Sequence, residues 1–162
     1  MKKILFVCMG NICRSPMAEA IFRDAFKTKH VTDFDVDSAA TSRWEVGNPP
    51  HPGTQKILAQ HHISAKGMRA RQVTKEDFYD TDYIIGMDQE NVSDLQAMAP
   101  AGTEDKIYLY LDRVPGCTGE GIPDPWYTGN FEETYDLIQK GLNEWLTFLK
   151  WIRFLVFSFE FK

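Results

Sequence analysis

Hydrophobic positions along the chain fall into two patterns, short continuous runs and repeats at helical spacing. The continuous runs at residues 4–7 and 83–87 suit strands buried on both faces, and residues 34–39 and 107–111 are predicted as two further strands. After the first run, apolar side chains recur three or four residues apart, at Met17, Ala20, Ile21, Ala25 and Phe26. Strands that alternate with helices predict a single α/β domain, a three-layer sandwich whose four-stranded parallel sheet carries helices on both faces.

Capping signals place the helices between these strands. Ser15 is a good N-cap and Pro16 suits the first helical position, so a helix is predicted from there to about residue 28. The further helices predicted are residues 54–61, a short one opened by a capping box at 74–77, one ending near residue 98, and one starting at Phe131 behind Asn130. Clusters of Gly and Pro predict loops over residues 44–52 and 114–129.

The end of the chain is unusually rich in aromatic and aliphatic residues. Residues 145–161 are mostly Trp, Phe, Leu, Ile and Val, interrupted by Lys150 and Arg153, which argues against a membrane span. We therefore predict a domain over residues 1–150 and an apolar tail over residues 151–162. Two interpretations of the tail stay open: a last core helix with an irregular end, or a surface that docks a second subunit or lies on a membrane.

Composition narrows the class of protein. The 162 residues carry a net charge of −5, so the electrostatic footprint of a nucleic-acid-binding protein is missing. The chain has three cysteines, at Cys8, Cys13 and Cys117. A small and odd number of cysteines argues against a secreted disulfide framework. The first apolar run is also too short for a signal peptide. These features predict a protein of the reducing cytoplasm.

Candidate chemistry is concentrated in residues 8–15, between the first strand and the first helix. In open α/β sheets, ligands bind at such strand ends, where the helix N-terminus favours negative charge. Gly10 brings backbone close to a ligand, and Asn11 tolerates the left-handed region. The loop can therefore curl its N–H groups around one anion. A Walker A loop is excluded because its Gly-Lys-Ser/Thr ending is missing.

Two side chains of this loop suit phosphoryl transfer. Arg14 offers a planar fork that matches two phosphate oxygens. Cys8 begins the loop, where the N–H groups, the helix N-terminus and Arg14 favour its thiolate form. A hydrogen bond from the Ser15 hydroxyl would favour the thiolate further. Cys8 is thus a candidate nucleophile and Arg14 a candidate phosphate clamp.

At these residues the chain resembles the low-molecular-weight protein tyrosine phosphatases. Residues 7–16 match the family signature Val-Cys-x-Gly-Asn-x-Cys-Arg-Ser-Pro throughout, and the likeness extends to about residue 149. The resemblance implies a metal-free and cofactor-free enzyme that cleaves phosphotyrosine and aryl phosphates through a cysteinyl-phosphate on Cys8. It implies Asp124 as general acid, in a variant Asp-Pro-Trp of the family's Asp-Pro-Tyr motif. The implied phosphate-binding loop consists of Cys8, Met9, Gly10, Asn11, Ile12, Cys13, Arg14 and Ser15.

The resemblance also implies a substrate cleft and a redox partner. Trp44 would form one aromatic wall, and Trp126 with Tyr127 the other, which suits a flat phenyl ring. Trp44 as a core anchor is the competing interpretation. Relatives that act on phosphoarginine carry Thr at the position of Ile12, so Ile12 favours phosphotyrosine. Cys13 would form a reversible disulfide with Cys8.

Some family positions are matched less directly. Asn11 would brace the loop, while Ser38, Asp88 and Asn91 are carried over weakly. The family's usual Ser-Ala-Gly-Thr is Ser-Ala-Ala-Thr here, so Ala40 would be strained if the glycine needed a positive φ.

Three rival functions have less support from the residues. An arsenate reductase of the same fold needs two further relay cysteines, and Cys117 alone remains outside the loop. A metal-binding module is poorly supported because His61-His62 and the sparse cysteines lack ligand spacing. A non-catalytic phosphotyrosine-binding module would have lost the nucleophile or the acid, yet both residue types are present.

Overall fold

Four parallel strands form the sheet that organises the protein. The computed structural model describes the backbone of residues 1–160 and the side chains of residues 1–150. The strands are β1 (Lys2–Cys8), β2 (Phe34–Ala40), β3 (Tyr83–Gly86) and β4 (Ile107–Leu109). Their order across the sheet is β2-β1-β3-β4, and every neighbouring pair is parallel. The predicted four-stranded parallel sheet is therefore confirmed.

Helices connect the strands and cover the sheet. They are α1 (Arg14–Thr28), α2 (Pro52–Gln60), α3 (Lys75–Asp80), α4 (Gln89–Met98), α5 (Pro125–Thr128) and α6 (Phe131–Glu160). Two 3₁₀ turns, Glu104–Lys106 and Tyr110–Arg113, flank β4. The capping box predicted at Thr74 and Asp77 opens α3.

Side chains that alternate along β1 fill two separate cores. Ile4 and Phe6 face the larger core, which includes Phe22 of α1 and Trp145 of α6. Leu5 and Val7 face the smaller one, which includes Phe78 of α3 and Leu95 of α4. Burial on both faces explains why β1 reads as a continuous apolar run. The predicted three-layer sandwich is confirmed by this division.

Two local predictions were wrong. Helix α1 begins at Arg14 with Cys13 as its N-cap, so Ser15 lies inside the first turn and does not cap it. The fourth strand ends at Leu109, and not at residue 111, because the chain turns there into a 3₁₀ helix. That turn buries Tyr110, whose hydroxyl donates to the Ile138 carbonyl at 2.5 Å.

The strain considered for Ala40 is absent. Among the described residues, the non-glycine positions with positive φ are Asn11, His30 and His62. Ala40 instead ends β2 in register with Cys8 of β1. A strand conformation accepts alanine, so the departure from Ser-Ala-Gly-Thr needs no strained backbone.

The final helix continues beyond the predicted domain boundary. The backbone of α6 is helical to Glu160. The first interpretation of the tail expected an irregular end after the core helix, so the observed helix is longer than expected. The second interpretation, a docking surface on the tail, depends on side chains after residue 150 and lies outside the described residues. No described helix has the combined length and apolar character needed to cross a bilayer.

Candidate active site

The loop from residue 8 to residue 15 lies at a topological switch of the sheet. From β1 the chain passes to β2 on one side and later returns to β3 on the other side. The carboxyl end of β1 is therefore the crevice in which α/β proteins bind ligands. Asn11 adopts φ 57° within the loop, so the left-handed turn predicted there is present.

Cys8 is almost fully buried and has one close side-chain partner. Its Sγ lies 3.0 Å from Ser15 Oγ. Ser15 Oγ already accepts a hydrogen bond from Asn11 Nδ2 at 2.8 Å. The Ser15 hydroxyl proton is thus available for donation to Cys8 Sγ. Ser15 therefore does not cap the helix as predicted, but it makes the contact with Cys8 that was also expected of it.

Asn11 holds the curled loop through both ends of its amide. Its Nδ2 also donates to Ser38 Oγ at 2.8 Å, and its Oδ1 accepts from the Arg71 backbone N–H at 3.1 Å. Ser38 in turn donates to Glu19 Oε1 at 2.7 Å. Burial raises the pKa of Glu19, although the hydrogen bond from Ser38 opposes that rise. The bracing role expected of Asn11 agrees with this buried network.

Arg14 is the most enclosed cation of the site, with 1% of its surface exposed. Its Nη1 lies 2.5 Å from Asp88 Oδ2 and 3.1 Å from the Ile122 carbonyl, while Nη2 lies 3.3 Å from Asp124 Oδ2. Burial alone would lower the pKa of Arg14, but Cys8 and the two carboxylates raise it overall. The guanidinium is therefore permanently charged and fixed in orientation.

One donor of this guanidinium has no protein partner. Among the described side chains, the buried polar atoms without a hydrogen bond are Arg14 Nε and Arg113 Nε. A buried N–H without an acceptor is costly, so such groups usually await a ligand or water. Arg14 Nε is thus a donor available to an oxyanion in the loop.

Asp124 reaches the site from the long loop before α6. It is the N-cap of the short helix α5, and its Oδ1 accepts from the Trp126 N–H at 3.0 Å. Its other oxygen contacts Arg14, and 18% of the side chain is exposed. The loop that sequence reasoning treated as irregular thus contains a helical turn that orients the predicted acid.

A cleft opens above the loop. Its lining residues are Cys8, Met9, Gly10, Ile12, Cys13, Arg14, Trp44, Glu45, Asp124, Trp126 and Tyr127. Trp44 is 78% exposed, which rejects the interpretation of this residue as a core anchor. The predicted loop, acid and aromatic walls therefore meet in one cavity, while Asn11 and Ser15 support it from behind.

Sequence reasoning missed Glu45 and gave too little weight to Asp88. Glu45 follows Trp44 directly and lines the cleft, so its place beside a candidate wall was the available signal. Asp88 follows β3, the strand beside β1, and the carboxyl ends of parallel neighbours meet at one edge of a sheet. Asp88 also caps α4, and its contact with Arg14 was not predicted.

Cys13 differs electrostatically from a reactive thiol. Burial, followed by the neighbouring Cys8 charge, raises the pKa of Cys13 to about 12. It therefore stays protonated at neutral pH. All three cysteines of the chain are free. The described side chains form no group of three or more His, Cys, Asp or Glu residues arranged to hold a metal.

Comparison with known proteins identifies the family of the chain. A profile of the family described as low molecular weight phosphotyrosine protein phosphatase matches residues 3–152. The chain is 50% identical over 147 residues to the low molecular weight protein-tyrosine-phosphatase YfkJ of Bacillus subtilis, across 90% of this chain and 94% of YfkJ. The crystal structure of YfkJ superposes with a TM-score of 0.89 at 49% identity, covering 93% and 95% of the two chains.

Two further proteins extend the likeness. The low molecular weight protein-tyrosine-phosphatase PtpA of Staphylococcus epidermidis is 40% identical over 146 residues, 90% of this chain and 92% of its own. The crystal structure of DARP, a Drosophila arginine phosphatase, has a TM-score of 0.85 and 36% identity, covering 93% and 98% of the chains. The chain therefore belongs to the family of low-molecular-weight protein tyrosine phosphatases.

Proposed function

We propose that this phosphatase hydrolyses phosphotyrosine in proteins, and aryl phosphate monoesters in general, through a cysteinyl-phosphate on Cys8 without a metal or cofactor. The observation that carries the proposal is the contact of Cys8 Sγ with Ser15 Oγ at 3.0 Å, in the loop that Arg14 closes. That contact places a hydrogen-bond partner on the proposed nucleophile, and Arg14 supplies the positive charge that a metal provides in other phosphatases.

In the first half-reaction, the Cys8 thiolate attacks phosphorus. The S–P bond forms as the P–O bond to the aryl group breaks, and the phenolate oxygen takes a proton from Asp124. Arg14 and the loop N–H groups bind the equatorial oxygens, where charge redistributes in the transition state. A phosphate that engages Arg14 competes for the guanidinium with the Asp124 carboxylate, which lies 3.3 Å from Arg14 Nη2.

In the second half-reaction, water replaces the thiolate. The Asp124 carboxylate, now without its proton, accepts one from the attacking water. The new O–P bond forms as the S–P bond breaks, which releases inorganic phosphate and the Cys8 thiolate. Proton balance is restored because Asp124 is again protonated for the next substrate.

The cleft wall favours an aromatic substrate. Trp44, Trp126 and Tyr127 are all more than half exposed and all line the cavity. Flat rings on two sides suit a phenyl group better than a short alkyl chain. Apolar Met9 and Ile12 continue this surface at the level of the loop.

The rival activities have less support. An arsenate reductase would need a relay cysteine at the cleft, yet Cys117 packs in the larger core and does not line the cavity. Phosphoarginine remains the informative comparison substrate, because one structural relative is described as an arginine phosphatase.

We also propose that oxidation of Cys8 is reversible. A peroxide would convert its thiolate to a sulfenic acid, which removes the Cys8 charge that helps to raise the pKa of Cys13. The Cys13 thiol would then displace water to form a Cys8–Cys13 disulfide. A thiol reductant restores both thiols, as the reducing cytoplasm proposed for this enzyme would. Activity after peroxide should return with dithiothreitol in wild type and not in C13S. Equal recovery in the two proteins would refute this step.

Turnover of p-nitrophenyl phosphate in EDTA tests the proposed function. Wild type and C117S, which changes a buried cysteine outside the cleft, should be active, and C8S should be inactive. A phosphotyrosine peptide should be hydrolysed in preference to phosphoserine and phosphoarginine. Turnover that persists in C8S, or that EDTA abolishes, would refute the mechanism.

A further inference from the structure

One histidine outside the cleft joins the two loops that carry the proposed chemistry. The backbone N–H of His51 donates to the Ile12 carbonyl at 2.7 Å, which fixes its main chain to the phosphate-binding loop. Its ring meets the Trp126 ring edge-on, with centroids 5.8 Å apart and planes at 86°. His51 therefore contacts both the loop of the nucleophile and the loop of the acid.

The His51 ring is itself held on two sides. It stacks on Phe131 at 4.8 Å with planes 21° apart. Phe131 also packs against the buried cluster of Ile12, Cys13 and Ala70 under the loop. Gly53 permits this stack, since a Cβ there would lie 2.5 Å from the Phe131 ring.

A hydrogen bond fixes the remaining freedom of the ring. His51 is the N-cap of α2, and its Nδ1 accepts from the Gly53 N–H at 3.0 Å. This contact holds the Nδ1 edge of the ring against the first turn of α2. Cap and stack together give the ring one orientation, from which it presents a fixed surface to Trp126.

Trp126 connects the His51 ring to the carboxylate of Asp124. Its indole is 57% exposed, and the one ring contact described for it is His51. Its backbone N–H binds Asp124 Oδ1 at 3.0 Å, so a shift of Trp126 moves the donor that orients the carboxylate. A general acid must lie within hydrogen-bond distance of the leaving oxygen, so a small rotation of this carboxylate lowers the rate of leaving-group protonation.

We propose that His51 is a positioning residue for the acid Asp124, acting through the ring of Trp126. This inference rests on the proposed function, in which Asp124 protonates the leaving phenolate. His51 does not touch the substrate. Its effect falls on leaving-group protonation and not on the position of Cys8.

Leaving-group dependence separates this role from a purely structural one. Phenolate needs protonation on departure far more than p-nitrophenolate, so the ratio of kcat/KM for phenyl phosphate over p-nitrophenyl phosphate reports the acid. H51N keeps an oxygen that can accept from the Gly53 N–H but removes the ring. We expect this ratio to fall about two- to tenfold in H51N, the range for losing one aromatic pair contact.

Two controls complete the set. H51F keeps a ring that can stack on Phe131 but loses the Nδ1 acceptor, so it should recover most of the ratio while lowering Tm through the lost cap. H61N removes a histidine that stacks on Tyr135 of α6 at 3.8 Å, and it should leave the ratio at the wild-type value. The proposal would be overturned if the kcat/KM ratio fell equally in H51N and H51F, or equally in H51N and H61N.

D124N distinguishes failure of this inference from failure of the proposed function. A lowered ratio in D124N together with an unchanged one in H51N would overturn the role of His51 alone. An unchanged ratio in D124N would refute Asp124 as the acid, and the His51 proposal would fall with it. Lowered ratios in D124N and H51N, with recovery in H51F, are the expected result.

Discussion

Replacement of Asp88 by asparagine tests how Arg14 is held. Asp88 uses both carboxylate oxygens: Oδ2 lies 2.5 Å from Arg14 Nη1, and Oδ1 accepts from the Asn91 N–H at 2.8 Å. Asparagine has one acceptor oxygen, so D88N must lose either the contact with the guanidinium or the cap of α4. The substitution is nearly isosteric, and it therefore isolates charge and hydrogen bonding from packing.

The magnitude follows from burial and from the partners that remain. A hydrogen bond to a charged group contributes about 1.5–3 kcal/mol. Breaking a fully buried ion pair costs more, but Asp88 is 27% exposed and Arg14 keeps Ile122 and Asp124 as partners. We expect D88N to lower the free energy of unfolding by about 1.5–3 kcal/mol. D88A also loses the cap and should cost about 1 kcal/mol more.

Urea unfolding and p-nitrophenyl phosphate kinetics measure the two consequences. Loss of Arg14 orientation should lower kcat/KM about tenfold or more, because each factor of ten corresponds to about 1.4 kcal/mol of transition-state stabilisation. D94N is the matched control, since Asp94 is an exposed carboxylate on the same helix. If D88N resembles D94N in both stability and kcat/KM, then Asp88 does not hold Arg14.

Three further predictions concern packing, thiol reactivity and alkaline stability. G53A should lower the free energy of unfolding by about 1–3 kcal/mol in urea titrations, because a Cβ would lie 2.5 Å from the Phe131 ring; unchanged stability would contradict that packing. Burial raises the pKa of Cys13 to about 12, so iodoacetamide at neutral pH should modify Cys8 first in peptide mass spectra; equal labelling would contradict this order. Burial also holds the pKa of Tyr110 well above its ordinary value, so the unfolded chain releases this proton first and stability should fall as pH rises above about 10. Y110F should flatten that alkaline decline, and an equally steep decline would refute the assignment.

The segment from β1 into α1 was predicted well because its signals are local and mutually consistent. The apolar run, the Gly-Asn turn and the helix start all lie within 25 residues. The exception, Ser15, shows the limit of local preference. A serine at a helix start is a good cap, but here the contacts with Cys8 and Asn11 take its hydroxyl. The contact with Cys8 was expected from the sequence, whereas the contact with Asn11 was not.

Contacts between distant segments could not be predicted from the pattern. Arg14 and Asp88 are 74 positions apart, and their contact depends on β3 pairing with β1. His51 lies in a segment that composition identifies only as a loop, and its ring partners come from α5 and α6. The order of strands and the packing of short loops decide such contacts, and hydrophobic periodicity reports neither.

The cysteinyl-phosphate is the central claim, and trapping it is the most direct test. D124N, which lacks the base for the hydrolytic water, should accumulate the intermediate when mixed with p-nitrophenyl phosphate and quenched in acid. Peptide mass spectrometry should then find phosphate on Cys8, and none in D124N that also carries C8S. Phosphate on another residue, or burst release of p-nitrophenol without any phosphorylated Cys8, would contradict the mechanism.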